Sequence, residues 1–267
     1  MAYVTSNGIR LAYDQAGQGE PVLLIMGTGA GGNVWSAYQV PALNQAGFET
    51  ITFDNRGIPP SDVPPGMYSL ADMVADTLGL IEALDAGPCR LVGTSLGAVT
   101  AAELAAARPD LVRSCVLMAM RSRADRVRRA LAVADLALVN SGTRLPAAYD
   151  AATTVLQMFS PATLNDDAAV SMWLDVFELS AERRATASGQ AGIDITSDRR
   201  DMLAAITVPC RVIAFSDDLV CPPHLGAEAA EIIPDCDLVE IGSCGHLGYL
   251  ERPAEVNSAI IEFFEKN

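Results

Sequence analysis

The sequence predicts an α/β protein: a mostly parallel, eight-stranded sheet flanked by helices, with a helical segment inserted into it. Three observations predict it. Short apolar runs of strand length alternate with stretches of helical period, a pattern that needs crossover helices on both faces of a sheet. The alternation lapses between about Arg121 and Ile206, where four helix-like segments occur with no strand signal. One strand-to-helix junction also reads Gly93-Thr94-Ser95-Leu96-Gly97, so a serine is flanked by the two glycines that a tight, strained turn requires.

The chain opens on a hairpin signal, Tyr3 to Thr5 and Ile9 to Tyr13 around Asn7-Gly8. Val22 to Ile25 reads as a buried strand, and Met26-Gly27-Thr28-Gly29-Ala30-Gly31-Gly32 leaves it as a flexible loop able to approach other groups closely. A helical pattern over 37–46 leads to the strand Glu49 to Phe53, and one over 69–85 leads to Arg90 to Val92. The Ala-rich helix 96–108 is followed by the strand Cys115 to Met118. Beyond the insertion come the strand Arg211 to Phe215, a helix over 222–232, the strand Leu238 to Ile241 and a closing helix over 253–265. The chain thus divides into a core of residues 1–120 and 206–267 and a helical insertion of residues 121–205.

Ser95, exposed where a strand turns into a helix, lies where backbone N–H groups favour developing negative charge, and it is the candidate nucleophile. A hydroxyl needs a base to take its proton. The chain has two histidines. His246 lies in the small-residue loop Gly242-Ser243-Cys244-Gly245 after the strand-like run Cys236 to Ile241, and is the candidate base. His224 follows Pro222 and Pro223 at a helix start, where a surface or cap histidine is the ordinary reading. An orienting carboxylate is expected just after the strand that ends at Phe215, and Asp217 and Asp218 both stand there.

The order serine, aspartate, histidine is that of the α/β-hydrolases, and the chain resembles that family over nearly its whole length. The resemblance implies the acid about four residues before a proline, which matches Asp218 and Pro222 and makes Asp217 the neighbour. It implies an oxyanion hole of two backbone N–H groups, one from Leu96 and one from Thr28 in the loop after the early strand. Family members often carry His-Gly in that loop; here Met26 replaces the histidine. The loop lacks the lysine of a phosphate-cradling P-loop and the spacing of a dinucleotide site. The segment Asp54-Asn55-Arg56-Gly57-Ile58-Pro59-Pro60-Ser61 resembles one that braces the family's active-site loops, so Asp54 and Arg56 are read as structural. The insertion falls where the family places a helical lid.

That insertion carries Leu131, Leu136, Leu138, Leu156, Met158, Phe159, Met172, Trp173 and Phe177. Met26, Leu136, Met158, Phe159, Trp173 and Phe177 are the candidates to line a pocket for an apolar substrate, against the plainer expectation that each packs the insertion onto itself and the sheet. Arg121, Arg123, Arg126, Arg128 and Arg129 form a basic run that suits a solvated helix face, or the docking of an anionic substrate or an acyl carrier protein.

Composition narrows the classes. With 267 residues, 50% of them hydrophobic, one substantial core can be buried. A net charge of −15 argues against nucleic acid or an anionic membrane as partner. No apolar run reaches membrane-spanning length and no leader pattern appears, so a cytoplasmic enzyme is expected. Six scattered cysteines lack metal or framework spacing; free thiols are expected, with a Cys221–Cys244 bridge as the alternative. Neither a metal nor a cofactor is called for.

These residues license acyl transfer to water on a small, apolar carboxylic ester. The short loops look most like small-molecule carboxylesterases, including methylesterases of polyketide tailoring. The same residues would serve a thioesterase or lactonase, or a C–C hydrolase, lyase, eliminase or perhydrolase. A non-catalytic binding protein on the same scaffold would have no need of them.

Overall fold

The computed structural model describes residues 1–181 and 186–267. Among them eight strands, β1 (Ala2–Ser6), β2 (Ile9–Ala16), β3 (Glu20–Ile25), β4 (Phe48–Phe53), β5 (Cys89–Thr94), β6 (Val112–Met118), β7 (Cys210–Phe215) and β8 (Cys236–Ile241), form one sheet. Their order is β1-β2-β4-β3-β5-β6-β7-β8. The β1–β2 and β2–β4 pairs are antiparallel and the other five are parallel.

The β1–β2 turn has Asn7 at φ 46° and Gly8 at φ 78°, the left-handed pair that a two-residue hairpin needs. The central strands carry unbroken apolar runs, Val22–Ile25 in β3 and Cys115–Met118 in β6, because both faces are covered. Leu23 and Ile25 of β3 and Leu91 of β5 join one buried cluster, while Val22, Leu24 and Val92 join the other. The first cluster is closed by α2 (Leu70–Ala83), α3 (Leu96–Ala107) and α9 (Pro223–Ile232), the second by α1 (Gln39–Gln45) and α11 (Pro253–Lys266).

Several strands begin earlier than apolar runs suggest: β3 at Glu20, β5 at Cys89 and β6 at Val112. Of the added residues, Glu20 and Ser114 are polar and both pair with Arg90 where the strands start. Arg90 donates through Nε to Glu20 Oε2 at 3.0 Å and through Nη1 to Ser114 Oγ at 3.0 Å, so hydropathy alone cuts β3 and β6 short. The helix expected over 37–46 is α1, and a 3₁₀ turn at Gly32–Ala37 precedes it.

Between β6 and β7 the described residues contain no strand. They hold α4 (Arg126–Ser141), α5 (Ala147–Met158), α6 (Pro161–Leu164), α7 (Asp167–Leu179), a 3₁₀ turn at Ala187–Gly192 and the short α8 (Arg200–Ala204). A further short helix, α10 (Gly248–Glu251), precedes α11. No described helix is long and apolar enough to cross a membrane.

Candidate active site

Parallel strands put their carboxyl ends on one edge, and the loops leaving that edge carry the chemistry. Ser95 lies at the end of β5 with φ 55° and ψ −118°, a conformation that a non-glycine residue adopts only when its surroundings enforce it. Its N–H donates to Met118 O at 3.0 Å, at the end of β6. The flanking glycines are steric necessities. A Cβ on Gly97 would stand 2.1 Å from Ile25 O, and one on Gly93 would stand 2.3 Å from Gly97 O. The loop after β3 passes directly against the serine: a Cβ on Gly27 would lie 3.2 Å from Ser95 Cβ.

Around this turn several N–H groups are left without a protein acceptor, and those of Leu96 and Thr28 are among them. Among the described residues, neither the Leu96 nor the Thr28 N–H meets a protein acceptor, whereas the Gly29 N–H donates to Gln190 Oε1 at 2.9 Å. The helix start at Leu96 leaves its N–H free by construction. The glycine-rich loop is braced from below, as Asn55 Nδ2 donates to Met26 O at 3.0 Å and Gly32 N donates to Asp54 Oδ1 at 2.8 Å. Arg56 forks onto buried Asp76, with Nε and Nη2 each at 2.6 Å, and that hydrogen-bonded pairing raises its pKa. Asp54 and Arg56 therefore hold loops, as the sequence suggests.

Asp218 and His246 meet across the ends of β7 and β8. His246 Nδ1 lies 2.8 Å from Asp218 Oδ2, and both side chains are buried. The other carboxylate oxygen, Oδ1, accepts the N–H groups of Val220 and Cys221, each at 2.7 Å. Asp217 contributes its backbone instead: its N–H donates to Cys244 O at 3.0 Å, and the Ser243 N–H donates to Ser216 Oγ at 2.8 Å. Those bonds zip the two loops together and settle which of the adjacent carboxylates faces the imidazole. His224 is exposed at the start of α9, where it and Asp218 line one open groove.

All six cysteines are free. Burial pushes the Cys221 thiol far up and that of Cys244 up to about 12. Asp218, Cys221 and His246 place three metal-ligating atoms within 4.8 Å of one another. Both carboxylate oxygens already accept hydrogen bonds and the thiol stays protonated, so these groups fit an acid–base pair better than a metal centre.

The candidate pocket residues separate. Met26 is a correction: it continues the Val22, Leu24 face of β3 into the core, where Tyr249 Oη donates to its Sδ at 3.8 Å, and it is 1% exposed. Period-two alternation sends it beneath the sheet, away from the open edge. Phe159 is buried at the end of α5, its ring 4.8 Å from that of Trp173 and 6.3 Å from that of Phe177. Phe159 also lines an open groove of about 540 Å³ between the insertion and the loop bearing Asp218, together with Leu156, Leu164 and Leu219. Met158 is half-buried, and its carbonyl accepts the Leu247 N–H at 3.2 Å. Leu136 stands exposed on α4.

Two residues that sequence reasoning passed over also belong here. Gln190 ties the insertion to the core, donating through Nε2 to Arg56 O at 2.9 Å while accepting from Gly29. No local pattern marks it. Glu251 holds the Gly245 N–H at 2.6 Å, and its only sequence signal is its place five residues after His246.

A family model described as the alpha/beta hydrolase fold matches residues 20–253. A Mycobacterium tuberculosis H37Rv protein named a non-heme bromoperoxidase, BpoC, is 44% identical over 96% of this chain and 98% of its own. Its crystal structure superposes with a TM-score of 0.88 at 42% identity, covering 96% of each chain. The Azorhizobium caulinodans protein RutD, named a carbamate hydrolase, is 29% identical over 98% of this chain and 98% of its own. The enol-lactonase from Burkholderia xenovorans LB400 superposes with a TM-score of 0.86 at 26% identity, over 99% of this chain and all of that one.

Proposed function

Because the chain belongs to the alpha/beta hydrolase fold family, we propose that it is a serine hydrolase that cleaves a carboxylic ester of a small, apolar molecule through an acyl-enzyme. The observation that carries this reading is the buried His246–Asp218 contact of 2.8 Å on the same sheet edge as the strained Ser95. Ser95 Oγ attacks the ester carbonyl carbon while His246 takes its proton, and the N–H groups of Thr28 and Leu96 hold the oxyanion. His246 returns the proton to the departing alcohol. Water then attacks the acyl-enzyme by the same route, with His246 taking its proton and giving one back to Ser95. Asp218 fixes the tautomer with Nδ1 protonated and stabilises the imidazolium. In this reading the insertion 121–205 serves as the lid, and Phe159 with Leu156 and Leu164 offers apolar contact to the substrate.

The similarity to a protein named a non-heme bromoperoxidase favours one second reading. Hydrogen peroxide would replace water at the acyl-enzyme, forming a peracid and free Ser95. Wild-type protein and Ser95→Ala, assayed on p-nitrophenyl esters and labelled with a fluorophosphonate, test the first reading. The variant is expected to lose at least about a thousandfold in turnover and all labelling, with little change in melting temperature. An active Ser95→Ala protein overturns it. Bromination that needs peroxide and a carboxylate and vanishes in Ser95→Ala would establish the second.

A further inference from the structure

The half-buried Glu251 collects donors from two distant parts of the chain. Its Oε2 accepts the Gly245 N–H at 2.6 Å, one residue before His246. Its Oε1 accepts the Ser160 N–H at 3.2 Å, the Ser160 hydroxyl at 2.6 Å and the Thr163 hydroxyl at 2.5 Å. Ser160 is fully buried and caps α6 in the insertion. Among the described residues no cation lies within ion-pair distance of this carboxylate, and these hydrogen bonds help compensate its charge.

The histidine loop is pressed onto the same junction. A Cβ on Gly245 would stand 2.7 Å from Met158 O and 2.9 Å from Ser160 N, so only glycine fits there. The Leu247 N–H donates to Met158 O on the far side of His246. His246 is thus gripped at its ring by Asp218 and at the preceding peptide by Glu251.

We infer that Glu251 is a positioning residue: it holds the Gly245 peptide so that the His246 ring keeps its contact with Asp218. The inference rests on the proposed role of His246 as base. A carboxylate is needed because two oxygens must each accept, one from the histidine loop and one from the insertion; an amide has only one acceptor.

Glu251→Gln tests this on the intact chain, with the double variant Ser160→Ala/Thr163→Val as comparison. The double variant also strips hydrogen bonds from Glu251 but spares the one to Gly245. A displaced base is expected to lower kcat for p-nitrophenyl acetate about a hundredfold in Glu251→Gln, with KM within about twofold. The double variant should lose melting temperature to a similar degree yet keep kcat within about threefold. Should Glu251→Gln fail to fold, Glu251→Asp keeps the charge, shortens the reach and is expected to lose kcat about tenfold at unchanged KM. A kcat within about threefold of wild type in Glu251→Gln, or an equal loss in the double variant, overturns the inference. The NMR signal of the His246 Nδ1–H needs no turnover and separates this inference from the hydrolase reading. In a chain that hydrolyses no ester, a shifted and faster-exchanging signal in Glu251→Gln still supports the inference, and an unchanged one overturns it.

Discussion

Strand β3 and helix α4 mark the two extremes of the chain. Val22, Leu23, Leu24 and Ile25 are at most 1% exposed, whereas none of the 16 residues of α4 is buried. Most of the large apolar side chains exposed among the described residues lie between 127 and 179. Burial therefore fixes the core, and polar knots fix the insertion at a few points. Glu251 grips Ser160 and Thr163, Gln190 bridges to Gly29 and Arg56, and Arg121 donates to Val220 O at 2.8 Å and to Ile195 O at 3.2 Å. Each knot reaches a loop at the candidate site. A scaffold that must not move can carry a strained serine, while a segment tethered at points can leave apolar surface beside the groove.

The sharpest way to break this comparison is at the join of β7 and β8. If the rigid edge does the chemistry, Asp218→Asn should keep the fold and cost about four orders of magnitude in kcat, because the imidazole is then held in the wrong tautomer. Asp217→Asn removes the same charge one residue away, and its kcat should stay within about threefold, since Asp217 serves through its backbone. Equal losses in both variants would mean that a general field, and not the 2.8 Å contact, governs His246.

Stability gives the next contrast. Leu24→Ala empties a fully buried site and should cost about 2–5 kcal/mol. Leu131→Ala on α4, where the side chain is 38% exposed, should stay within about 0.5 kcal/mol. Urea midpoints at unchanged slope measure both. A Leu131→Ala loss as large as that of Leu24→Ala would show that α4 buries its apolar face in solution.

The smallest expected effect depends on pH and lies where the insertion returns to the core. Burial pushes the Asp194 carboxyl up, but hydrogen bonds from Ser197 and Thr196 outweigh it and bring it down to about 2. A carboxylate lowered in the folded state adds stability above its unfolded value of about 3.9, and that contribution is lost as the pH falls toward 2. Asp194→Asn should therefore lower the unfolding free energy at pH 7, by less than about 1 kcal/mol because the group is exposed and screened. Near pH 2 the gap between variant and wild type should close. A gap constant from pH 7 to pH 2 would assign the effect to lost turn geometry instead of charge.

Local pattern carried the sequence reading furthest where physics is local. The Asn7-Gly8 turn, the apolar runs of β3 and β7, and the glycines around Ser95 were legible because positive φ, period-two burial and a missing Cβ are properties of a few neighbouring residues. The strand residues Glu20 and Ser114 were not, since these polar side chains pair with Arg90 across the sheet. Met26 was misplaced for a related reason: its loop looked like pocket wall, yet the pleat of β3 carries it into the core.

The sequence by itself determined the fold class, the serine at its turn and the histidine loop, because each follows from short-range sterics and hydropathy. The family resemblance already favoured Asp218 over Asp217, and the tertiary structure brings it to the imidazole; only that structure showed that Glu251 braces the peptide before His246 and that Gln190 reaches Gly29. Those choices rest on hydrogen bonds between residues 28 and 161 positions apart in the first and last cases. At Glu251 the pairing is worth making only because Ser160, 91 positions away, arrives to share the carboxylate. Directional contacts of that kind depend on where whole elements come to rest, which no window of neighbouring residues encodes.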